Sequence, residues 1–402
     1  MPRAISFIGL IVMLLIAWLL SNNRRAIRWR VVVVGTVLQF VFALVILRTP
    51  WGRAFFQYVS DAITAFLDFT DAGAAFIFGE NFREHYFAFK VLTTIIFFSS
   101  FITVLYYLGI LQVVVKSFAK VMVRLMGTAG AESLSASANI FVGQTEAPLL
   151  IRPYVQTMTQ SELMAVMTGG FATVAGGVMA AYIGMGVNAG HLLAASVMSA
   201  PAALVMAKLM FPETEESVTA GEVKIEVERP WANVIDAAAS GAADGMKLAL
   251  NVAAMLLAFI GLIAMINALL IKFGVAVGFP TLTLEWLMGV VFRPFAWVMG
   301  VPWAEADEVG TLLGIKTVIN EFVGYVRMEE MVKAGQLSPR AEVISTYALC
   351  GFSNFSSIAI QIGGIGAMAP ERKSDLARLG LRAMVAGSLA CFQTATIAGM
   401  LI

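Results

Sequence analysis

Two long stretches without a charged side chain, Ile5–Leu20 and Val31–Leu47, constrain this chain more than any other feature. About 20 apolar residues in a helix cross the hydrocarbon core of a bilayer. A backbone surrounded by lipid must satisfy its own N–H and C=O groups, so such runs fold as helices or as closed barrels. A cleaved leader would have a shorter apolar stretch ending at a small-residue site. Ile5–Leu20 runs instead into Ser21-Asn22-Asn23-Arg24-Arg25, so a retained first span is expected. Of the 402 residues, 59% are hydrophobic and only 13% charged, where a soluble domain carries about a quarter charged residues. The formal net charge of +1 gives no general attraction to nucleic acid. Cys350 and Cys391 both lie in apolar sequence, where buried free thiols are expected rather than a disulfide.

Hydrophobic segments fall at roughly 4–22, 31–48, 89–110, 160–187, 190–211, 246–273, 343–368 and 380–402. They predict an all-α polytopic membrane protein of about eight transmembrane helices. Three basic groups set the orientation: Arg24, Arg25, Arg28 and Arg30; Lys116, Lys120 and Arg124; and Arg372, Lys373, Arg378 and Arg382. All fall on one side if the amino terminus is outside, and Lys/Arg-rich loops face the cytoplasm. The mainly acidic stretch 211–229 falls on the same side, which the rule tolerates because acidic residues weigh little in it. Trp51–Tyr86 carries too many charges to span (Asp61, Asp68, Asp71, Glu80 and Glu84), yet Phe55, Val59, Ile63 and Phe66 recur at helical spacing. An amphipathic helix on the outer surface is expected there, with Val113–Met126 as its inner counterpart. A tilted or packed helix fits either pattern as well.

Two segments suit neither span nor loop. Glu132–Gln156 and Val301–Met331 are rich in Ala, Gly and apolar residues but hold polar groups and a carboxylate at mid-segment. Breaks are expected at Gly143 and Pro148 in the first, and at Gly310, Gly314 and Asn320-Glu321 in the second. Interrupted helices at membrane depth must be buried in protein or line a wet cavity, so both are expected to be re-entrant hairpins. Each heads a similar string, Gly169-Gly170-Phe171-Ala172-Thr173 and Cys350-Gly351-Phe352-Ser353-Asn354. Interrupted segments in matching positions of an internal repeat point to a transporter site near the midplane.

Three strings carry the chemistry. Asn139-Ile140-Phe141-Val142-Gly143-Gln144-Thr145-Glu146-Ala147-Pro148 sets an amide, a hydroxyl and a carboxylate side by side in apolar sequence. An ionisable group at this depth costs about 2.5–3.5 kcal/mol on insertion scales and is functional by default. Glu321, in Asn320-Glu321-Phe322-Val323, has the same logic. Lys316, five residues upstream, suits a carboxylate partner or snorkelling to the interface. In the third string, Phe352, Asn354 and Ser357 sit in mid-span, and the last two share a helix face. Unwinding near the glycines would aim them into a cavity. His85 and His191 are far apart and have no ligand-spaced partners, so no metal centre is expected. Neither a P-loop nor a zinc-protease motif is present.

The three strings closely resemble motifs of the concentrative nucleoside transporter family, from about Val91 to the carboxyl end and more loosely over the first two spans. Gly324 stands where the family often has Ala, and Thr173 where some members have Ser. The resemblance implies a sodium-coupled symporter, not an enzyme, importing nucleosides such as uridine across the inner membrane by alternating access. It implies a homotrimer in the bilayer, sodium as coupling ion and no other cofactor. Gln144, Thr145 and Glu146 would face the base. Glu321, Asn354 and Ser357 would hold ribose hydroxyls, with Phe352 on the base ring and Val178 and Leu248 as apolar walls. Sodium would take Asn139, Thr173 and the backbone carbonyls of Val142 and Val174. The chain would then divide into scaffold (1–130), first repeat (131–211), cytoplasmic linker with a long scaffold helix (212–300) and inverted second repeat (301–402). The residues alone leave other readings open: a proton-coupled nucleoside or nucleobase carrier, an ion channel, or an intramembrane enzyme using Glu146 and Glu321 as acid and base.

Overall fold

The computed structural model describes residues 2–85, 87–221 and 230–402. Tyr86, which ends the expected outer amphipathic stretch, and residues 222–229 of the acidic stretch lie outside the described residues. Eighteen α-helices and no strand are found among the described residues. The first half contains α1 (Pro2–Leu19), α2 (Trp29–Arg48), α3 (Pro50–Asp68), α4 (Thr70–Phe78), α5 (Leu92–Tyr107), α6 (Ile110–Met126), α7 (Gly130–Ala138), α8 (Arg152–Val155), α9 (Gln160–Ala172), α10 (Gly176–Met185) and α11 (Ala189–Met210). The second contains α12 (Val234–Ala276), α13 (Leu284–Val298), α14 (Ala306–Val318), α15 (Glu321–Lys333), α16 (Pro339–Leu349), α17 (Phe355–Met368) and α18 (Lys373–Leu401).

Side-chain character sorts these helices into a centre and a rim. Small residues line α9, α11 and α18 and allow close approach, as helices in lipid require. In α11, 89% of the most apolar stretch is buried inside the protein, whereas in the 43-residue α12 the share is 6%. At about 1.5 Å per residue, α12 is some 65 Å long, and Leu250, Leu257, Ile260 and Leu269 point away from the protein. The α1 helix is one-sided, with Phe7, Ile8, Ile11 and Leu15 exposed and Met13 and Ala17 buried.

Seven helical segments among the described residues are long and apolar enough to cross a bilayer. They match the expected spans except 343–368, which is split into α16 and α17 by an unwound Cys350–Asn354. A similar gap at Thr173–Ala175 separates α9 from α10. Trp51–Phe78 falls in two helices, α3 and α4. Lys90 ties them to the start of α5, donating to Asp68 at 3.0 Å and also to Asp71, which accepts from Arg83 as well.

Two expectations about the segment 301–331 are corrected. Gly310 and Gly314 do not break the helix but lie inside an uninterrupted α14, and the break falls at Ile319-Asn320. Both glycines serve packing: a Cβ on Gly310 would lie 2.7 Å from Gly289 O, and one on Gly314 2.2 Å from the Met288 Cβ. These contacts are with α13, an element the hydrophobic segments did not single out. Among the described residues Lys316 forms no direct ion pair, and it does not snorkel. It is buried, and its Nζ donates to Ala348 O at 2.8 Å, a carbonyl near the end of α16.

The two gaps cross one another. Phe352 N donates to Thr173 O at 3.2 Å and Ser353 Oγ to Phe171 O at 2.7 Å. The free thiol of Cys391 on α18 approaches Cys350 O at 3.2 Å and Ala172 O at 3.6 Å. Gly351 makes the crossing possible, since a Cβ there would stand 2.7 Å from Phe171 O and 3.0 Å from Ala172 C. Gly351→Ala is therefore expected to destabilise the protein by about 1–3 kcal/mol, the usual cost of overpacking. Gly363→Ala on α17, with nothing within 4 Å of the added methyl, is expected to be neutral or slightly stabilising. Melting temperatures of the two variants in detergent check this pair, and equal values would contradict the packing account.

Candidate functional site

Three interruptions converge on one cavity of about 480 Å³: the turn after α7, the gap before α15 and the gap before α17. It is closed on one side by α12 and on another by α10 through Val178. Each interruption has a local cause. After α7, Pro148 sits at the start of a short 3-10 turn, and Gly143 leaves room for Glu146, since a Cβ there would lie 2.2 Å from its Oε2. Asn320 caps α15, its Oδ1 accepting from Val323 N at 2.9 Å, and Asn354 caps α17 by accepting from Ser357 N at 2.9 Å. The same asparagines line the cavity.

All nine residues expected to bind substrate line this one cavity: Gln144, Thr145, Glu146, Val178, Leu248, Glu321, Phe352, Asn354 and Ser357. Their polar groups form two clusters. Glu321 is buried and accepts from Tyr182 Oη at 3.0 Å and from Asn354 Nδ2 at 3.1 Å. These bonds match a carboxylate that would otherwise be costly to bury. The Tyr182 ring is itself packed against Tyr325 at 4.2 Å and Phe322 at 5.4 Å. In the other cluster Gln144 Nε2 donates to Ser357 Oγ at 3.2 Å, and Thr145 Oγ1 donates to Glu146 Oε1 at 3.0 Å. The two glutamates therefore differ: Glu321 is sunk among donors, while Glu146 is exposed.

The four residues expected around sodium are also near one another, beside the cavity. Asn139 is fully buried. Its Nδ2 donates to Ser135 O at 3.0 Å, and its Oδ1 has no protein partner. Its Nδ2 lies 3.3 Å from where a Gly169 Cβ would stand, and Gly169 O accepts from Thr173 Oγ1 at 2.9 Å. Gly176 N donates to Phe141 O at 3.1 Å, so the turn holding Val142 lies against the gap holding Val174. An orphaned amide oxygen beside a hydroxyl and unwound backbone suits a small hard cation.

The structure adds residues that were not assigned to the site. Asn251 of α12, Asn320 and Ser356 also line the cavity. Tyr182 and Gln361 stand behind it as hydrogen-bond partners of Glu321 and Gln144. A lone amide in apolar sequence was a usable signal for Asn251 and Gln361. Tyr182 had none, since a tyrosine near the end of a span is ordinary.

Residues 8–81 match the model for the N-terminus of Na+ dependent nucleoside transporters, 88–189 a nucleoside-recognition (Gate) model, and 191–399 the model for the C-terminus of the same transporters. An uncharacterized transporter of Haemophilus influenzae is 49% identical, over 99% of this chain and 97% of that protein. Solute carrier family 28 member 3 of Eptatretus stoutii is 45% identical over 99% of this chain, which spans 60% of the length of that relative. The solved structure of CNTnw in an inward-facing substrate-bound state superposes with a TM-score of 0.94 at 45% identity, covering 100% of this chain and 98% of that one. A variant of CNTnw in an outward-facing state superposes equally well. With its nine expected residues gathered in one cavity and its whole length matched, this chain belongs to the concentrative, Na+ dependent nucleoside transporter family, whose members are multi-pass membrane transporters and not enzymes.

Proposed function

We propose that this protein is a sodium-coupled symporter that imports nucleosides such as uridine across the inner membrane by alternating access, as a homotrimer. One observation carries the reading: a single cavity has an amide and a hydroxyl side by side at Gln144 and Thr145 and a donor-matched carboxylate at Glu321. The first suits a base edge, which both donates and accepts. The second suits sugar hydroxyls, which are donors a carboxylate can take. Phe352 contacts the base ring, and Val178 and Leu248 wall the pocket. Sodium travels with the nucleoside, held by Asn139 Oδ1, Thr173 Oγ1 and the carbonyls of Val142 and Val174. The orphaned Asn139 Oδ1 supports that assignment.

In this reading the segments around α7–α8 and α14–α15 are re-entrant hairpins of two inverted repeats, 131–211 and 301–402. Residues 1–130 and 212–300 form the scaffold against which they move. Similarity to CNTnw in both inward- and outward-facing states supports alternating access. Uptake of radiolabelled uridine into proteoliposomes is expected with an inward sodium gradient and not with a pH gradient in sodium-free buffer. Equal uptake under the pH gradient would favour the proton-coupled alternative.

Thr173→Val keeps the side chain's shape but removes an oxygen, and is expected to raise the sodium concentration for half-maximal uptake. An unchanged sodium dependence would contradict the ion site. Glu321→Gln replaces a pure acceptor and is expected to weaken uridine, cytidine and adenosine alike, by about 1.5–3 kcal/mol for a charged hydrogen bond. In the unmutated protein free uracil is expected to compete poorly with uridine, since it has no ribose for Glu321, Asn354 and Ser357. A Glu321→Gln effect confined to one base, or equal competition by uracil, would shift the assignment to a nucleobase carrier. Tyr182→Phe keeps the ring packing and removes only the hydroxyl that faces Glu321. Combined with Glu321→Gln, it is expected to be non-additive in thermal stability; simple additivity would show that the bond carries no weight.

A further inference from the structure

Gln361 lies on α17 one turn beyond Ser357, fully buried, and does not line the cavity. Its Nε2 donates to Met167 O at 3.1 Å and to Gln144 Oε1 at 3.0 Å. Its own Oε1 has no partner. A backbone carbonyl can only accept, so Met167 O requires the nitrogen end of the Gln361 amide. The second hydrogen of that nitrogen then meets Gln144, which must answer with its oxygen. That leaves the Gln144 Nε2 on the other side, 3.2 Å from Ser357 Oγ, with a further N–H for the cavity. Gly170 clears the space for this relay, since a Cβ there would stand 2.8 Å from both Gln144 Cβ and Gln361 Nε2.

We infer that Gln361 is a positioning residue that sets base preference by fixing which end of the Gln144 amide faces the substrate. The inference rests on the proposed placement of the base beside Gln144. A cavity-facing N–H favours a base with a carbonyl at the edge it meets. Uridine has a carbonyl at ring position 4, and cytidine has an amino group there.

The test compares kcat/KM for sodium-driven uridine and cytidine uptake in proteoliposomes, with deoxyuridine as a control for the sugar end. The unmutated protein is expected to favour uridine by about threefold to tenfold, the size of one neutral hydrogen bond. Gln361→Met frees the Gln144 amide to turn either way. It is expected to bring the ratio close to one through KM, with kcat and the response to deoxyuridine unchanged. Gln361→Glu keeps the volume but offers at most one donor, so its carboxyl accepts from Gln144 and the ratio moves toward cytidine. This variant carries the test if Gln361→Met is not recovered from membranes. The double variant Gln361→Met with Gln144→Ala is expected to match Gln144→Ala alone. The inference is overturned if Gln144→Ala changes the ratio while both Gln361 variants leave it as it was, or if the double variant is additive. If Gln144→Ala itself leaves the ratio unchanged, the base does not meet Gln144, and the placement on which the inference rests fails with it.

Discussion

Two broken helices close each other's gaps, and the rest of the structure depends on that exchange. Unwinding a helix at membrane depth frees carbonyls that cost several kcal/mol each if left dry. Here Phe171 O at the end of α9 and Thr173 O in the first gap accept from Ser353 and Phe352 of the second, and Cys391 stands over Ala172 O and Cys350 O. The crossing also brings Ala175 of the first gap and Phe352 and Asn354 of the second to the wall of the cavity.

The site gains its chemistry from groups that shape the backbone. Asn320 and Asn354 end the gaps by capping α15 and α17, and both line the cavity. Glu321 is the first residue of α15, where the positive end of the helix dipole favours a carboxylate. Tyr182 and Asn354 then match its two oxygens from two other elements. Binding groups held by caps and packed rings lose little freedom when a ligand arrives, which is how preorganisation favours affinity.

In the proposed function, ligand recognition and ion binding are adjacent by construction. The turn after α7 holds Asn139 and Val142 at one end and Gln144, Thr145 and Glu146 at the other. A cation drawn to Asn139 Oδ1 and Thr173 would order the same few residues that are proposed to meet the nucleoside. In that arrangement, filling one site lowers the ordering cost of the other, a thermodynamic route to coupling that needs no long pathway.

Much of this was legible in the sequence because it is local. Uncharged apolar runs of about 20 residues have few folds open to them in lipid. Asn139–Pro148, Asn320-Glu321 and Cys350–Asn354 announce breaks through the residue types that end or cap helices. Their polar side chains, too costly to leave in lipid, had to share a cavity. Local signals misled where one residue type serves two purposes: Gly310 and Gly314 look like breaks but are contact points for α13. The partners themselves were decided only by tertiary packing. Tyr182 meets Glu321 across 139 positions, Ser353 meets Phe171 across 182, and Gln361 meets Gln144 across 217. A sequence shows which groups must be satisfied, because that follows from each residue's chemistry, but the choice of partner depends on how whole helices cross.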